Sequence, residues 1–386
     1  MKASQLPFRG TLIAPENISS ERTSCLIERG PLVYFKNPGL GYFTPMGCIV
    51  YDKLSTLITN YHQIIGGMKV QIPNYMRRET LGCGEEVQEH FQKKFAMLPE
   101  PMAKYMILTT HEMEFLEWIG REPVSHISMP MKLFTPKDIL RVTGHGDGIL
   151  KLREFKVWAM VSLDKNLSAF RETLYSYAKI CESIFGDLGI PYYKSENPEE
   201  RNVPNKNFDL EYFYPCSEGD NFCLGGQRQK ALSLSMGYRF NPRENPCQFI
   251  DELGQLRTPI VGTYALGLER IFYAALDNAR DERGFNIPSK IRPFEKSILL
   301  FDDYEQTIND SQILYETLRR QGVPVFFDDR KQTKRKAKAR FSDFIGIPEK
   351  IVVSKQGIRI IKRNSNEPES PVMDLEGTFR YLENGR

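Results

Sequence analysis

An arginine early in a predicted helix is the residue of this 386-residue chain whose setting most clearly indicates chemistry. The segment from Thr258 to Arg270 is typical of a short apolar strand, a glycine-marked turn and a helix that begins with Glu269 and Arg270. Gly262 and Gly267 would let a ligand approach the backbone closely. A guanidinium in this place is suited to clamp a phosphate group through charge-assisted hydrogen bonds. The alternative is an ordinary surface ion pair.

A hydroxyl and a carboxylate form a second candidate site. Thr110 and Glu112 stand two residues apart, where a strand-like run that starts at Tyr105 leads into a predicted helix. On a turn, these two groups can converge on an ammonium group, such as the amino group of an amino acid. The alternative is that Thr110 only caps the helix that follows.

The segment from Ile139 to Phe155 is predicted to be a β-hairpin with a glycine-rich tip. Three glycines lie in the loop at residues 143–148, and β-type runs flank this loop on both sides. Basic residues occur on both arms of the hairpin: Arg141, Lys151 and Arg153.

Two long helices are predicted to support these segments. Apolar residues recur at helical spacing over 46–65, and two glycines end that helix. The residues at 68–75 then alternate as a strand, in which Pro73 indicates an edge or a kink. The second helix is predicted over 167–188, and a further strand over 209–213.

A second, smaller domain is predicted after a linker that Pro288 and Pro293 bracket. Strand-like and helix-like segments alternate there, which predicts a small α/β domain with a parallel or mixed sheet. The predicted strands are at 297–301, 322–327 and 351–354, and the predicted helix is at 304–318.

Positive charge is concentrated in this second domain. The formal net charge is +3, but residues 330–363 hold twelve Lys or Arg and two acidic residues, a net of +10, which leaves about −7 for the remainder. A local basic surface on a slightly acidic body indicates that a polyanion docks on one domain.

The composition is ordinary for a folded protein, with 41% hydrophobic and 26% charged residues. No apolar run approaches the roughly 20 residues that cross a bilayer, and the N-terminus lacks the apolar core of a signal peptide. We therefore expect a cytoplasmic location and no membrane partner. The seven cysteines include no C-x-x-C pair, which argues against a disulfide framework, and we expect no protein zinc ligands.

Taken in order, these segments resemble the class II aminoacyl-tRNA synthetases, closest to their prolyl and threonyl subgroup. The helix, strand and Pro73 are similar to motif 1 of that family, the hairpin at 139–155 to motif 2, and the segment at 258–280 to motif 3. The Asp-Asp-Arg sequence at 328–330 and the Ile-Gly-Ile-Pro sequence at 345–348 resemble the anticodon-binding domain. The resemblance covers about residues 40–363.

The resemblance implies an α+β fold. Residues 1–290 would form a catalytic domain with the class II synthetase-type antiparallel sheet and flanking helices. Residues 296–386 would form a C-terminal α/β domain of the anticodon-binding type. It also implies a homodimer, in which the motif 1 segment with Pro73 contributes to the interface.

The implied activity is ATP-dependent activation of a proline-like or other small amino acid as an aminoacyl-adenylate, with Mg²⁺, and transfer to tRNA. Arg141 would face the α-phosphate, Phe155 would stack on adenine, and Arg270 would face the triphosphate. Lys151 or Arg153 would reach the γ-phosphate, and these two are grouped with Arg141 and Arg270 as catalytic cations. The full set of implied ATP contacts is Arg141, Lys151, Glu154, Phe155, Gln227, Gln229 and Arg270.

The resemblance also implies contacts for the two other substrates. Thr110, Glu112 and Gly262 would bind the amino acid. The basic run after the second strand of the C-terminal domain would hold tRNA phosphates with a steep salt dependence. The implied tRNA contacts are Asp329, Arg330, Lys334, Arg335, Lys336 and Lys338.

One departure from the family pattern leaves two alternatives open. Thr143 stands where the outgoing arm of motif 2 has a glutamate. The chain is then either a synthetase paralogue that loads a carrier protein or a small molecule, or a non-catalytic, synthetase-like regulator that binds RNA. The amino acid is also open among proline, serine and a nonstandard one.

Overall fold

The computed structural model describes residues 1–6, 12–29, 31–77, 98–107, 112–141, 148–197, 207–215, 222–224, 227–242, 245–363 and 369–384. By its internal contacts the chain divides into two compact units. One unit comprises residues 35–41 and 54–274, and the other comprises residues 1–34, 42–53 and 275–386. The division at residues 290–296 that we drew from the sequence stays a prediction about domains.

The helices of the described residues are α1 (Thr23–Arg29), α2 (Pro45–Ile64), α3 (Glu112–Ile119), α4 (Leu167–Asp187), α5 (Leu268–Asn278), α6 (Glu305–Arg320), α7 (Arg335–Phe344) and α8 (Leu375–Asn384). Short 3-10 turns occupy Ala3–Gln5, His126–Ser128 and Gly148–Leu150. Within these described ranges, no helix is long and apolar enough to cross a membrane.

The first strands along the chain are β1 (Val33–Asn37), β2 (Leu40–Phe43), β3 (Met68–Lys69), β4 (Tyr75–Arg77), β5 (Tyr105–Ile107), β6 (Val124–Ser125), β7 (Met131–Leu140), β8 (Glu154–Asp164), β9 (Tyr193–Asn197) and β10 (Asn207–Pro215). The later strands are β11 (Phe222–Leu224), β12 (Gln227–Phe240), β13 (Phe249–Ile250), β14 (Leu256–Arg257), β15 (Ile260–Gly267), β16 (Arg280–Asp281), β17 (Gly284–Phe285), β18 (Lys296–Leu300), β19 (Val325–Asp328), β20 (Glu349–Ser354) and β21 (Gly357–Lys362).

An eight-stranded sheet forms the centre of the larger unit. Its strands follow the order β3-β7-β8-β15-β12-β10-β9, and β11 pairs with β12. The long neighbours β7, β8, β15, β12 and β10 are all antiparallel, whereas the short β3 runs parallel to β7. The predicted hairpin at 139–155 is therefore part of a longer β7–β8 ladder, whose register places Ile139 opposite Phe155.

Helices cover one face of this sheet. The helix α4 packs on β8, β12 and β15, and the indole of Trp158 on β8 donates a hydrogen bond to Thr59 of α2 over 3.2 Å. At Gly237 of β12, a Cβ atom would lie 2.7 Å from the ring of Phe208 and 3.1 Å from Leu174 of α4, so only glycine fits there. Because side chains alternate across a strand, the neighbouring positions point to the opposite face, which is the face of the candidate site.

The other unit contains a four-stranded mixed sheet, as the sequence predicts. Its order is β19-β18-β20-β21, with β18 parallel to β19 and β20, and β21 antiparallel to β20. The helices α6 and α8 share an apolar core with these strands, including Ile298, Leu314, Phe327 and Ile351. The basic segment from Lys331 to Arg340, for which we predicted no element, is helical from Arg335. Phe341 and Phe344 are fully buried and anchor that helix.

Two other segments differ from the sequence predictions. The strand predicted at 68–75 consists of two short strands, β3 and β4, separated at Pro73, which cannot donate to a ladder. The long strand β12 begins at Gln227, in a segment for which we predicted no element from its pattern.

Candidate active site

A pocket opens on the face of the central sheet that α4 does not cover. Its volume is about 290 Å³. Four of the residues that we predicted to contact nucleotide line it: Arg141, Lys151, Phe155 and Arg270. The remaining lining residues are Ile149, Leu150, Leu152, Val157, Ser233, Leu234, Ser235, Met236, Ala265, Gly267 and Glu269. The tertiary structure thus brings the two arms of the hairpin to the start of α5.

The β7–β8 ladder positions the first two of these groups. Arg141 directly follows β7, and its backbone N–H donates to the carbonyl of Arg153 over 2.7 Å, which extends the pairing beyond the last strand residue. Phe155 lies at the start of β8. The guanidinium carbon of Arg141 lies 5.1 Å from the centroid of the Phe155 ring, within the range of a cation–π contact.

Arg270 enters the pocket from the first turn of α5. Its Nη1 donates to the backbone carbonyl of Ser233 on β12 over 2.8 Å. Burial and, to a smaller extent, the charge of Arg141 lower the pKa of Arg270, whereas the carboxylate of Asp209 raises it. A partly buried cation that faces a second cation is electrostatically unfavourable, and this arrangement favours an anionic ligand between them.

Glu269 has a structural role beside Arg270. Its carboxylate oxygens accept the backbone N–H of Lys156 over 3.1 and 3.0 Å, so the start of α5 is attached to β8. The side chain is 5% exposed. This contact fixes the position of the first turn of α5, and thereby the position from which Arg270 reaches the pocket.

Arg153 and Glu154 lie apart from the pocket lining. The backbone N–H of Arg153 donates to the carbonyl of Gly39 over 2.8 Å, and a Cβ atom at Gly39 would lie 2.8 Å from the Arg153 side chain. Gly39 has a φ of +79°, which favours glycine independently. Arg153, Glu154 and Lys151 are all exposed, but of the three only Lys151 lines the pocket. Of the two cations considered for the γ-phosphate, the structure therefore favours Lys151.

Glu112 forms a second polar centre on the same face of the sheet. Its Oε1 accepts hydrogen bonds from the hydroxyls of Tyr238 over 3.2 Å and Thr263 over 3.1 Å, and the residue is 6% exposed. The charge of Glu112 and burial raise the pKa of Tyr238 well above its usual value. Met236 and Ala265 of the pocket lining lie on the same two strands as Tyr238 and Thr263, each two positions away. Two positions along a strand correspond to about 7 Å, so the Glu112 centre lies beside the pocket.

The other two predicted amino-acid contacts are not brought to this centre. Gly262 faces the helix-covered side, where a Cβ atom would lie 2.4 Å from the Tyr264 hydroxyl and 2.5 Å from Ser162. The structure thus gives this glycine a packing role, and its binding role stays a prediction. Thr110 lies outside the described residues, as does Thr143 of the hairpin tip.

The two glutamines predicted to contact ATP lie on the long strand β12. Gln227 pairs with Leu224, and Gln229 pairs with both Phe222 and Pro215. Their side chains are not among the described parts of the structure, so their contacts with ATP stay a prediction. Sequence reasoning missed Ser233, Tyr238 and Thr263, because a hydroxyl on an alternating strand carries no local signal that distinguishes a site from a sheet surface.

Pro73 is attached to the central sheet by a buried lysine. Lys137 on β7 donates from Nζ to the carbonyls of Ile72 and Pro73, and to the Asn74 side chain over 2.7 Å. Burial lowers the pKa of Lys137 to about 8, against the opposing effect of Glu114. This contact defines the course of the segment that we predicted to form a dimer interface.

The predicted tRNA contacts fall into two groups. Lys334 and Lys336 are exposed, and among the described residues neither ammonium group has a side-chain contact of the kind that engages the other members of the set. Lys338, in contrast, is 2% exposed, and its ammonium group donates to the backbone carbonyls of Leu300 and Asp328. We predicted an RNA contact at Lys338, but it does not present a free charge, because the carbonyl ends of two strands occupy its ammonium group.

The remaining members of the predicted tRNA set are engaged within the protein. Arg330 forms a two-pronged ion pair with Asp328 over 2.8 and 2.6 Å, and donates to the Leu12 carbonyl. Both carboxylate oxygens of Asp329 accept hydrogen bonds from Ser4, one from its backbone N–H over 2.8 Å. Arg335 is exposed and donates to the carbonyl of Phe301 over 2.8 Å. An RNA contact at these three positions stays a prediction.

Magnesium is the one metal that the nucleotide chemistry implies. Within the described ranges, no group of three or more His, Cys, Asp or Glu side chains is placed to hold a metal ion. Glu269, the carboxylate that lines the pocket in the described part of the chain, is engaged with a backbone N–H. This donor set does not form a protein site for Mg²⁺, which in nucleotide sites is held largely by phosphates and water.

Comparisons with known proteins show a partial similarity in sequence and a shared fold. A scan against protein-family models finds no match. Among curated proteins, the chain is 30% identical over 171 residues to the proline–tRNA ligase of Legionella pneumophila (strain Corby), a match that covers 42% of this chain and 27% of that protein. It is 24% identical over 239 residues to the proline–tRNA ligase of Brachyspira hyodysenteriae, covering 58% of this chain and 39% of that protein. The chain thus matches well under half the length of these relatives.

Solved structures show the fold over nearly the whole chain. The prolyl-tRNA synthetase from Cryptosporidium parvum, complexed with halofuginone and AMPPNP, superposes with a TM-score of 0.76 at 17% identity, covering 97% of this chain and 80% of that one. The Giardia lamblia prolyl-tRNA synthetase in complex with prolyl-adenylate gives a TM-score of 0.75 at 15% identity, covering 92% and 74%. The predicted α+β fold, with a class II antiparallel sheet and a C-terminal α/β domain, is confirmed. The chain is therefore similar in sequence to proline–tRNA ligases over part of its length and shares the fold of prolyl-tRNA synthetases, in line with the predicted resemblance to a class II synthetase or a synthetase-like paralogue.

Proposed function

We propose that the protein activates a proline-like or other small amino acid with ATP, and transfers the aminoacyl group to tRNA. One observation carries the proposal: Arg141, Lys151, Phe155 and Arg270 converge on one pocket, and the buried carboxylate of Glu112 lies on the same sheet face. Phosphate-binding cations, an aromatic ring for a base and a carboxylate for an ammonium group are the three requirements of amino-acid activation. Proline is the first substrate to test, because the matching relatives are proline–tRNA ligases.

In the first step, a carboxylate oxygen of the amino acid attacks the α-phosphorus of ATP. The bond from that phosphorus to the bridging oxygen breaks, and pyrophosphate leaves with the electron pair. Arg141 and Arg270 offset the charge that develops on the phosphate oxygens, and Lys151 holds the leaving group. Mg²⁺, when bound to the phosphates, would offset more of that charge.

In the second step, a hydroxyl of the terminal ribose of tRNA attacks the carbonyl carbon of the adenylate and loses its proton to solvent, and AMP leaves with the electron pair of the broken carbon–oxygen bond. Glu112 would keep the amino group in place by accepting a charge-assisted hydrogen bond from it. The exposed Lys334 and Lys336 would contact the RNA backbone. We further propose that the protein acts as a homodimer, to which the segment around Pro73 contributes.

A synthetase-like paralogue is the second candidate, and a specific departure in sequence favours it. Thr143 stands where the motif 2 pattern has a glutamate. Such a protein would load a carrier protein or a small molecule, or would bind RNA without catalysis. The four pocket residues argue against a purely regulatory role, because cations beside an aromatic ring are suited to bind the phosphates and the base of a nucleotide.

ATP–pyrophosphate exchange with each common amino acid, with and without total tRNA, tests the proposal. Exchange with one amino acid supports activation and names the substrate. Silence across the panel contradicts the synthetase function. In that case, stabilisation of the protein by ATP in a thermal-shift assay would distinguish a nucleotide-binding paralogue from a regulator, which should show little stabilisation.

A further inference from the structure

A relay of polar contacts lies behind Arg270 and leads away from the pocket. Arg270 donates to the backbone carbonyl of Ser233 over 2.8 Å, and the hydroxyl of the same Ser233 donates to Oδ1 of Asp209 over 2.7 Å. Asp209 lies on β10 and pairs with Met236 of the pocket lining. A carboxylate on a neighbouring strand is therefore connected to the pocket cation through one residue.

The groups that face Asp209 define its electrostatic setting. Along its own strand lies Glu211, and across the ladder on β9 lies Ser195. Burial, and to a smaller extent the charge of Glu211, raises the pKa of Asp209 to about 6, while Ser233 and the charge of Arg270 act in the opposite direction. Asp209 is thus ionised at neutral pH and becomes protonated as the pH falls through about 6.

Arg270 needs a counter-charge before any ligand arrives. The charge of Arg141 acts against its own, whereas the carboxylates of Asp209 and, to a smaller extent, Glu269 act in its favour, and Glu269 is also held by the backbone N–H of Lys156. Among the described residues, Asp209 is the group that both attracts Arg270 through space and fixes its hydrogen-bond acceptor.

We propose that Asp209 is a positioning residue, which acts through Ser233 to hold the Arg270 guanidinium in the pocket against repulsion from Arg141. The proposal rests on the nucleotide-binding part of the proposed function. If Asp209 positions Arg270, its ionised carboxylate strengthens the binding of a triphosphate. Direct repulsion between the carboxylate and the triphosphate would instead weaken that binding. The sign of the effect therefore separates positioning from simple repulsion.

The test measures the affinity of the full-length protein for AMPPNP in EDTA, by calorimetry, across pH 5 to 8. We expect Asp209→Asn to weaken binding at pH 7.5 by about tenfold, the effect of losing one hydrogen-bonded charge partner. The ratio of the wild-type affinity to the Asp209→Asn affinity is independent of the titration of the ligand, which is the same for both proteins. This ratio should fall towards one below pH 6. Glu172→Gln is the matched control, since it removes one exposed carboxylate from α4 on the opposite face.

Ser233→Ala keeps the backbone carbonyl but removes the hydroxyl that contacts Asp209, so it should also weaken AMPPNP binding. This variant provides the test if Asp209→Asn does not fold. Equal or tighter binding of AMPPNP by Asp209→Asn, or a ratio that does not change with pH, would overturn the proposal. Because this measurement needs no amino acid, its failure is distinct from silence in pyrophosphate exchange, which would contradict only the proposed activation.

Discussion

The guanidinium of Arg141 stacks over the ring of Phe155, although 14 positions separate them in the chain, with 5.1 Å between the guanidinium carbon and the ring centroid. The antiparallel ladder of β7 and β8 produces this contact, because it places the residue after one strand beside the first residues of the other. A cation and an aromatic face are thereby presented together at one wall of the pocket.

Removal of Arg270 should abolish adenylate formation without unfolding the protein. We expect Arg270→Ala to lower the rate of pyrophosphate exchange by about 100- to 1,000-fold, the usual effect of removing one charge-stabilising donor. The Tm should change little, because relief of the repulsion from Arg141 offsets the lost attraction to Asp209 and the lost hydrogen bond to Ser233. Arg171→Ala on the exposed side of α4 serves as the control. Unchanged exchange in Arg270→Ala would remove the main site assignment.

Phe155 should contribute to nucleotide affinity rather than to the chemical step. We expect Phe155→Ala to weaken ATP binding by about tenfold, which corresponds to the loss of one base-stacking contact. Titration calorimetry with ATP measures this, and Phe155→Tyr, which keeps an aromatic face, should restore most of the affinity. If Phe155→Ala binds ATP as the wild type does, the base binds elsewhere.

Glu112 should determine amino-acid affinity while leaving ATP binding unchanged. Glu112→Gln removes the charge that would hold the ammonium group but keeps a side chain of the same size near Tyr238 and Thr263. We expect the KM for the amino acid to rise by at least about tenfold, since charge-assisted hydrogen bonds are roughly twice as strong as neutral ones. Glu117→Gln makes the same substitution on the exposed side of α3 and should have no effect. Equal KM values in the two variants would contradict the assignment.

The exposed lysines before and within α7 should account for salt-dependent RNA binding. Replacing Lys334 and Lys336 by alanine should reduce the slope of log K against log salt by about two, one unit for each lost phosphate contact. Lys338→Met should instead lower the Tm, because it leaves the carbonyls of Leu300 and Asp328 without their donor. Filter binding with total tRNA at several salt concentrations measures the slope. A slope unaltered in the double variant would show that the basic run is only a solvated surface.

Acid should destabilise the larger unit through His62. This residue is fully buried beside Phe134 and Tyr177, and burial lowers its pKa from 6.5 to about 4. The unfolded chain therefore takes up this proton first, so stability is complete above pH 6.5 and is lost as the pH falls towards 4. Between pH 7 and pH 5 the loss from this one group is about 2 kcal/mol. Thermal unfolding across that range should show a shallower decline for His62→Leu, and equal declines would contradict this role.

The sequence by itself determined the local elements and the residue types of the site. The apolar periodicity of α2 and α4, and the strand–turn–helix pattern that carries Arg270, depend on neighbours within a few residues, and each is confirmed within the described residues. The fold class, which is confirmed, came from the resemblance of these segments, in their order along the chain, to the class II synthetases. Arg141, Phe155 and Arg270 were named as nucleotide contacts for the same reason.

Only the tertiary structure decided which of the candidates can act together. In the sequence Lys338 is one more member of a basic run. In the structure its helix directs the ammonium group at the carbonyls of Leu300 and Asp328, so the group is buried and does not lie on the surface. Ser233, Thr263 and Asp209 carry no motif, because their placement depends on the register of strands more than 20 residues apart. A local pattern fixes the direction of a side chain relative to its own element, whereas the group that it meets is fixed by long-range pairing, which the sequence encodes only through the whole core.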